Sequence, residues 1–187
     1  MIRNLLCAAA VLAAGLASLS AQVKDADALG RVVIEVDIFR EAERLPNSIV
    51  PSSLEDAQFS VPFTAALAAL RGAAAFRPLR PEHLCDPEVL ALAGGVEVRY
   101  PKEFCGVFPA ETPARVTLRT ANGIALKHVP RPLGDDRNPL SSADVRDKLS
   151  DLAAGLLSAE KSQAIADTVH DLVSHDASDL NRLLLPG

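Results

Sequence analysis

Two alternating runs flank Ala121-Asn122-Gly123, and no other stretch constrains the fold as tightly. A tight turn forces the runs to pair antiparallel, and the register then decides which side chains share a face. Pairing Val116 with His128, Leu118 with Leu126 and Thr120 with Ile124 collects the apolar side chains on one face. That register needs a three-residue loop, a type I turn followed by a left-handed residue, and Gly123 takes positive φ without a Cβ clash. A two-residue Asn-Gly turn instead sets Leu118 opposite Lys127, so the bulged hairpin is the expectation. Pro130 and Pro132 then stop the sheet, since neither has an N–H to donate. Asn138-Pro139 leads into a helix capped by Ser141 or Ser142, with Asp144 in its first turn.

Upstream, Arg31 to Asp37 alternates and is β-branched, which predicts a strand, and the Pro- and Ser-rich Pro46 to Ser53 reads as a loop. Phe63, Leu67 and Leu70 recur at helical spacing between Pro62 and Gly72, and Ala65, Ala66, Ala68 and Ala69 form a small face suited to close packing. Asp86-Pro87 opens a short helix through Leu92, and Gly94-Gly95 turns into a strand over Val96 to Tyr100. Downstream, Val145, Leu149, Leu152 and Leu156 predict one buried helical stripe. Ser158 caps a second helix with the stripe Ile165, Val169, Leu172 and Val173, and a third short helix runs from Ser178. The order predicts an α+β fold: an antiparallel sheet with helices on one face, followed by C-terminal helices. The expected divisions are residues 1–22, 23–133 and 134–187.

Composition removes several functions. With no Trp, one Tyr and a net charge of −5, the chain offers neither stacking platforms nor a basic footprint, so nucleic acid is not an expected partner. Cys7, Cys85 and Cys105 are too few and too irregular for a disulfide framework, and His83, Cys85 and Cys105 lack the paired spacing of a structural zinc site. No cofactor is expected. After the N-terminus no apolar run is long enough to span a bilayer. There is no G-x-S-x-G elbow, and Ser60 is followed by Val61-Pro62, so a hydrolase nucleophile is not indicated.

Four segments in order carry a resemblance: ALGRVVIEV at Ala28 to Val36, AQFSVPFTAALAALRG at Ala57 to Gly72, DPEVLALAGGVEV at Asp86 to Val98, and the hairpin followed by GDDRNPLSSADVRDKL. From Ser18 to Leu172 the chain resembles the C-terminal portion of the MmgE/PrpD family, which includes 2-methylcitrate dehydratases and cis-aconitate decarboxylases. The resemblance implies a lyase that dehydrates, decarboxylates or isomerises a small polycarboxylate, using a base beside a carboxylate and cationic groups to hold the anion. It also implies a large helical domain, whose place here would be before Met1, so the chain is expected to be inactive alone and to meet its substrate only when completed by that domain. A homodimer is among the assemblies to expect. Two other readings stay open: a non-catalytic remnant of the fold, and a secreted α+β binding module with a Cys85–Cys105 disulfide.

Residues 1 to 21 divide these readings. Arg3, the apolar run from Leu5 and the small residues near Ser18 to Ala21 have the layout of a signal peptide, which implies export. Leu5, Ala8, Leu12, Leu16 and Leu19 describe one face of an Ala-rich helix, the favoured reading because SAQVKDADALGRVVIEV continues the resemblance without a break, and it goes with a cytoplasmic protein. Family members carry a Cys-Arg-x-x-His-x-x-Ile-Asp pattern on a helix at this place, its His belonging to the active site. Here Cys7 is followed by Ala8-Ala9-Ala10-Val11-Leu12, so no catalytic residue carries over. The candidate substrate-binding residues are Ser60, Arg77 and Arg80. Arg77 and Arg80 belong, with Arg71 and His83, to the densest positive cluster of the chain, whose other reading is a solvated loop balancing Glu82, Asp86 and Glu88. Ser60 is either cleft-lining or a helix cap. His128, by its alternation, is expected on the hairpin's apolar face, and His170 and His175 on the surface.

Overall fold

The computed structural model describes residues 32–121 and 123–185, so the readings placed on residues 1–22 lie outside the described residues. The chain divides into two compact units at Pro139 and Leu140.

The first unit is built on β1 (Val33–Ile38), whose Ile34, Val36 and Ile38 are fully buried. A helical segment follows: α1 (Leu54–Gln58), α2 (Val61–Arg71) and α3 (Pro87–Ala93), leading to β2 (Val96–Arg99). The hairpin is β3 (Ala114–Thr120) and β4 (Gly123–Val129). The sheet order is β2-β1-β3-β4. The fold is α+β, with β1–β3 and β3–β4 antiparallel and the β1–β2 pair parallel. The parallel pair departs from a purely antiparallel sheet because the helices between β1 and β2 return the chain to the end at which β1 began.

Ile34 pairs with Val96 on one side and Leu118 on the other, and Val36 with Val98 and Val116, so one face of the sheet is a continuous aliphatic layer. Helix α2 covers it. Every residue from Val61 to Ala69 is buried, which the alanines permit because a helix enclosed on all sides needs small side chains wherever a neighbour comes close. It packs against α3, β2 and α1. Phe39 and Phe63 are fully buried, and Phe39 stacks on Phe108 with ring centroids 5.1 Å apart.

The hairpin register differs from the expected one. Thr120 pairs with Gly123, Leu118 with Ala125, Val116 with Lys127 and Arg115 with His128. With Thr120 paired directly to Gly123, two positions rather than the expected three separate the paired residues, and Gly123 lies at the first position of β4 with φ +140°. Because side chains alternate, this shift of one residue turns Ile124, Leu126 and His128 to the face opposite the helices. Ile124 is 65% and Leu126 61% exposed, while Ala125 and Val129 pack against the core. The physical reason lies in the sheet order. β4 is the edge farthest from β2, where α2 lies, so large apolar residues on the core face of β4 would find little to pack against.

The second unit contains α4 (Ser142–Ala153), α5 (Ala159–His170) and α6 (Ala177–Leu184). Ser141 caps α4 in a reciprocal box with Asp144, and Ser158 caps α5. The predicted stripe of α4 is not buried: Val145, Leu152 and Leu156 are exposed, Leu156 by 81%. Nor does the stripe of α5 extend to Leu172 and Val173, which lie beyond the helix in an exposed turn at Leu172–Ser174. Three short helices whose main contacts are α4–α5 and α5–α6 enclose little, and among the described residues of this unit the buried ones are Ala153, Ser162, Ile165 and Thr168.

The register has a direct test in thermal or urea unfolding. Leu126→Ser is expected to change stability by about 0.5 kcal/mol or less, as for an exposed site, whereas Leu118→Ala is expected to cost about 2–5 kcal/mol. Comparable losses at both positions would place Leu126 in the core and refute the observed pairing.

Candidate functional site

The face of the sheet away from the helices carries a connected network of paired charges. Glu35 and Asp37 alternate with the buried aliphatics of β1 and are themselves nearly buried. Asp37 lies between Arg99 on β2 and Arg115 on β3, its paired residues on either side. Arg99 Nε donates to Asp37 Oδ1 at 2.8 Å and Arg115 Nε to Asp37 Oδ2 at 2.8 Å. Glu35 accepts from Arg119 at 3.2 Å and from Arg99 at 3.2 Å, so Arg99 bridges both carboxylates. Arg115 also reaches Glu103 at 2.9 Å and lies 5.3 Å from the ring centroid of Phe104. His128, which pairs with Arg115 across β3 and β4, stacks on the same Phe104 ring with centroids 5.6 Å apart.

These contacts fix the ionisation of the acids. The hydrogen bond from Arg119, against a smaller effect of burial, holds the Glu35 carboxyl below its ordinary value. Burial pushes Asp37 upward, but the hydrogen bonds and charges of Arg99 and Arg115 outweigh it and the net direction is down. Asp37 in turn raises Arg99 and Arg115. A general base works best with a pKa near the operating pH, so carboxylates driven the other way and held by two arginines each are poor proton acceptors. The lattice joins β1, β2 and β3 across their outer face.

A concavity of about 460 Å³ opens where β4 leaves the sheet, lined by Lys127, His128, Arg131, Arg137 and Asn138 among others. Its walls follow from the turn chemistry after Pro130. Gly134 takes φ +96° and donates to the Asn138 carbonyl at 2.7 Å, while Asn138 N donates to the Asp135 carbonyl at 3.0 Å. The Asp135 carboxylate accepts from the Arg137 amide at 3.0 Å, the local bond that favours Asp in turns. That amide also lowers the Asp135 carboxyl below its ordinary value. Asn138 Nδ2 donates to the Arg131 carbonyl at 3.1 Å, and the Arg131 side chain is held by Glu111.

The three residues singled out in the sequence do not converge here. Ser60 is fully buried at the start of α2, where its oxygen accepts from Phe63 N at 3.1 Å and its hydroxyl donates to the Ser48 carbonyl at 2.6 Å. It ties the helix to the Pro46 to Ser53 loop, as does Asn47, which accepts from Val61 N at 3.0 Å. Arg77 and Arg80 lie on the loop between two short turns, Ala73–Phe76 and Pro81–Cys85, with Arg80 exposed and Arg77 half-buried. In that cluster Arg71 is bonded to Asp86 at 2.9 Å and to Glu88 at 2.6 Å, and His83 Nδ1 accepts from the Arg80 amide at 3.1 Å. His128 lies on the charged face and not on the apolar one, a consequence of the register. Cys85 and Cys105 are free thiols, so the disulfide of the exported reading is not formed in this structure. Among the described residues no three His, Cys, Asp or Glu side chains gather as metal ligands, and no helix is long and apolar enough to cross a membrane. The concavity had a signal in the sequence: Lys127, His128, Arg131 and Arg137 fall within one short Pro-interrupted run.

A family model described as the MmgE/PrpD C-terminal domain matches residues 8–172. A search of curated proteins returned no match.

Two expectations follow from these contacts. Glu35 and Asp37 have folded-state pKa values below the ordinary 4.5 and 3.8, so the stability they confer is complete above those values and is lost as pH falls below them. Melting temperature measured from pH 7 to about pH 3 should therefore hold and then fall, and Asp37→Asn should shrink the acid-dependent part while costing about 2 kcal/mol at neutral pH. Ser60→Ala should cost about 1–2 kcal/mol from loss of the cap and the Ser48 tether.

Proposed function

This chain belongs to the MmgE/PrpD family, and from that premise we propose that it is the C-terminal, non-catalytic part of a lyase that dehydrates, decarboxylates or isomerises a small polycarboxylate. In this reading the acid–base groups come from a helical domain, and the sheet unit closes one side of the cleft. The match over residues 8–172 carries the reading. Three features of the molecule support it. The ordered acids Glu35 and Asp37 are engaged by arginines that lower their pKa values. His128 is stacked on Phe104 at a sheet edge, and His170 and His175 lie exposed at and beyond the end of α5. The second unit presents Val145, Leu152, Leu156 and Val169 to solvent, the kind of surface that a further domain covers.

The purified chain is expected to show no turnover of 2-methylcitrate or cis-aconitate. Turnover at about 1 s⁻¹ or faster, a rate ordinary for enzymes, would show that the chain is catalytically complete. Light scattering is expected to show association of the isolated chain, with binding of an apolar dye. A clean monomer with little dye binding counts against an uncovered domain surface.

A further inference from the structure

The fold uses some of the charge at the hairpin exit and leaves the rest unused. Arg131 is committed to Glu111, with Asp135 at 3.8 Å on its other side. Lys127 and Arg137 line the same concavity, and among the described residues neither side chain has a direct hydrogen bond or ion pair, although the charge of Arg137 is felt by the Asp135 carboxylate in the same turn. No carboxylate is among the lining residues, and Val129, Pro130 and Leu133 are its apolar ones. The other arginines beside the sheet, at positions 99, 115, 119 and 131, are all directly paired with acids, so Lys127 and Arg137 differ from them in having no direct ion pair.

The backbone holding these cations is fixed before any ligand arrives. Lys127 is within β4, opposite Val116. Arg137 is held at its amide by Asp135, in a turn closed by Gly134 and Asn138. His128, the neighbour of Lys127 that also lines the concavity, is held by its stack on Phe104. A guanidinium offers two parallel N–H donors to one oxyanion group, and an ammonium offers a point charge to a second. The concavity, about 460 Å³, is open to water, so a ligand there would be held by charge rather than by enclosure.

We propose that this concavity is a binding site for a small oxyanion carrying at least two negative charges, a di- or tricarboxylate or a phosphate, held by Lys127 and Arg137. The site goes beyond the lyase reading and does not rest on it, because binding is measured without turnover.

The test is calorimetric titration of the full chain at low ionic strength with tricarballylate, citrate, inorganic phosphate and acetate. Saturable binding is expected for at least one multivalent anion, with acetate about tenfold weaker or more, and added salt should weaken it because the site is open to water. Lys127→Gln and Arg137→Gln should each weaken binding about five- to tenfold, while Arg40→Gln, on a remote exposed turn, should leave it unchanged. Melting curves establish that the variants are folded, and nitrogen-resolved NMR shifts confined to residues 127–138 locate the ligand even if one variant fails to fold. Preference for the carboxylates identifies a carboxylate site and preference for phosphate a phosphate site, and either supports the proposal. No saturable binding of any probe, equal affinity for acetate, or affinity unchanged in both folded variants would overturn it. Binding without turnover leaves the lyase reading untouched, and turnover without binding at residues 127–138 sinks this site alone.

Discussion

Asp37 is wedged between Arg99 and Arg115, and that contact makes the two halves of the sheet one object. Its strand, β1, has a neighbour on each side and alternates between an aliphatic face and an acidic one. Ile34, Val36 and Ile38 supply the hydrophobic part by meeting β2, β3 and the helices. Glu35 and Asp37 would be costly on their own, since a buried carboxylate without a partner loses its hydration. The arginines of β2 and β3 stand where the cross-strand register brings them to those acids. One register therefore satisfies both faces, and a slip of either neighbour would expose aliphatics and strand acids together.

The edges of the sheet are held less firmly. β4 has a partner on one side only, and its face toward the helices is filled by Ala125 and Val129 rather than by large side chains. Ile124 and Leu126 are left to solvent on the other face. The chain beyond the hairpin is nonetheless rigid in detail, because Pro130, Pro132, Gly134 and the Asp135 and Asn138 side chains specify one turn. That combination of a sparsely packed edge and a well-specified exit produces a concavity with cations on its walls. The second unit shows the opposite balance. Its helices are well capped by Ser141, Ser158 and Asp176, yet they bury little. Caps fix where a helix starts and contribute about 1 kcal/mol each, but they do not cover an apolar face.

Much of the candidate chemistry was hidden in the sequence for a physical reason. Arg77 and Arg80 stand out by local charge and Ser60 by the resemblance of its segment, and the local alternatives describe their surroundings: a cap, and a loop whose Arg71 is matched to Asp86 and Glu88. The lattice of Glu35, Asp37, Arg99, Arg115 and Arg119 joins residues up to 84 positions apart, so no local pattern announces it. Lys127, His128, Arg131 and Arg137 were visible as a run, but which of them the fold neutralises depends on where Glu111 and Asp135 come to lie.

The sequence by itself determined the elements and their order. Serine and aspartate caps, prolines at helix starts, glycines at turns and β-branched alternation act over a few residues, so they are readable without the fold. They were enough for the α+β class and, through four ordered segments, for the MmgE/PrpD family. Tertiary structure decided the rest, because it depends on what each face meets. It set β2 parallel to β1, moved the hairpin by one residue since nothing large waited over β4, and thereby put His128 on the charged face and Ile124 and Leu126 in solvent. Alternation states that a strand has two different faces, and only the neighbouring elements decide which of them becomes the core.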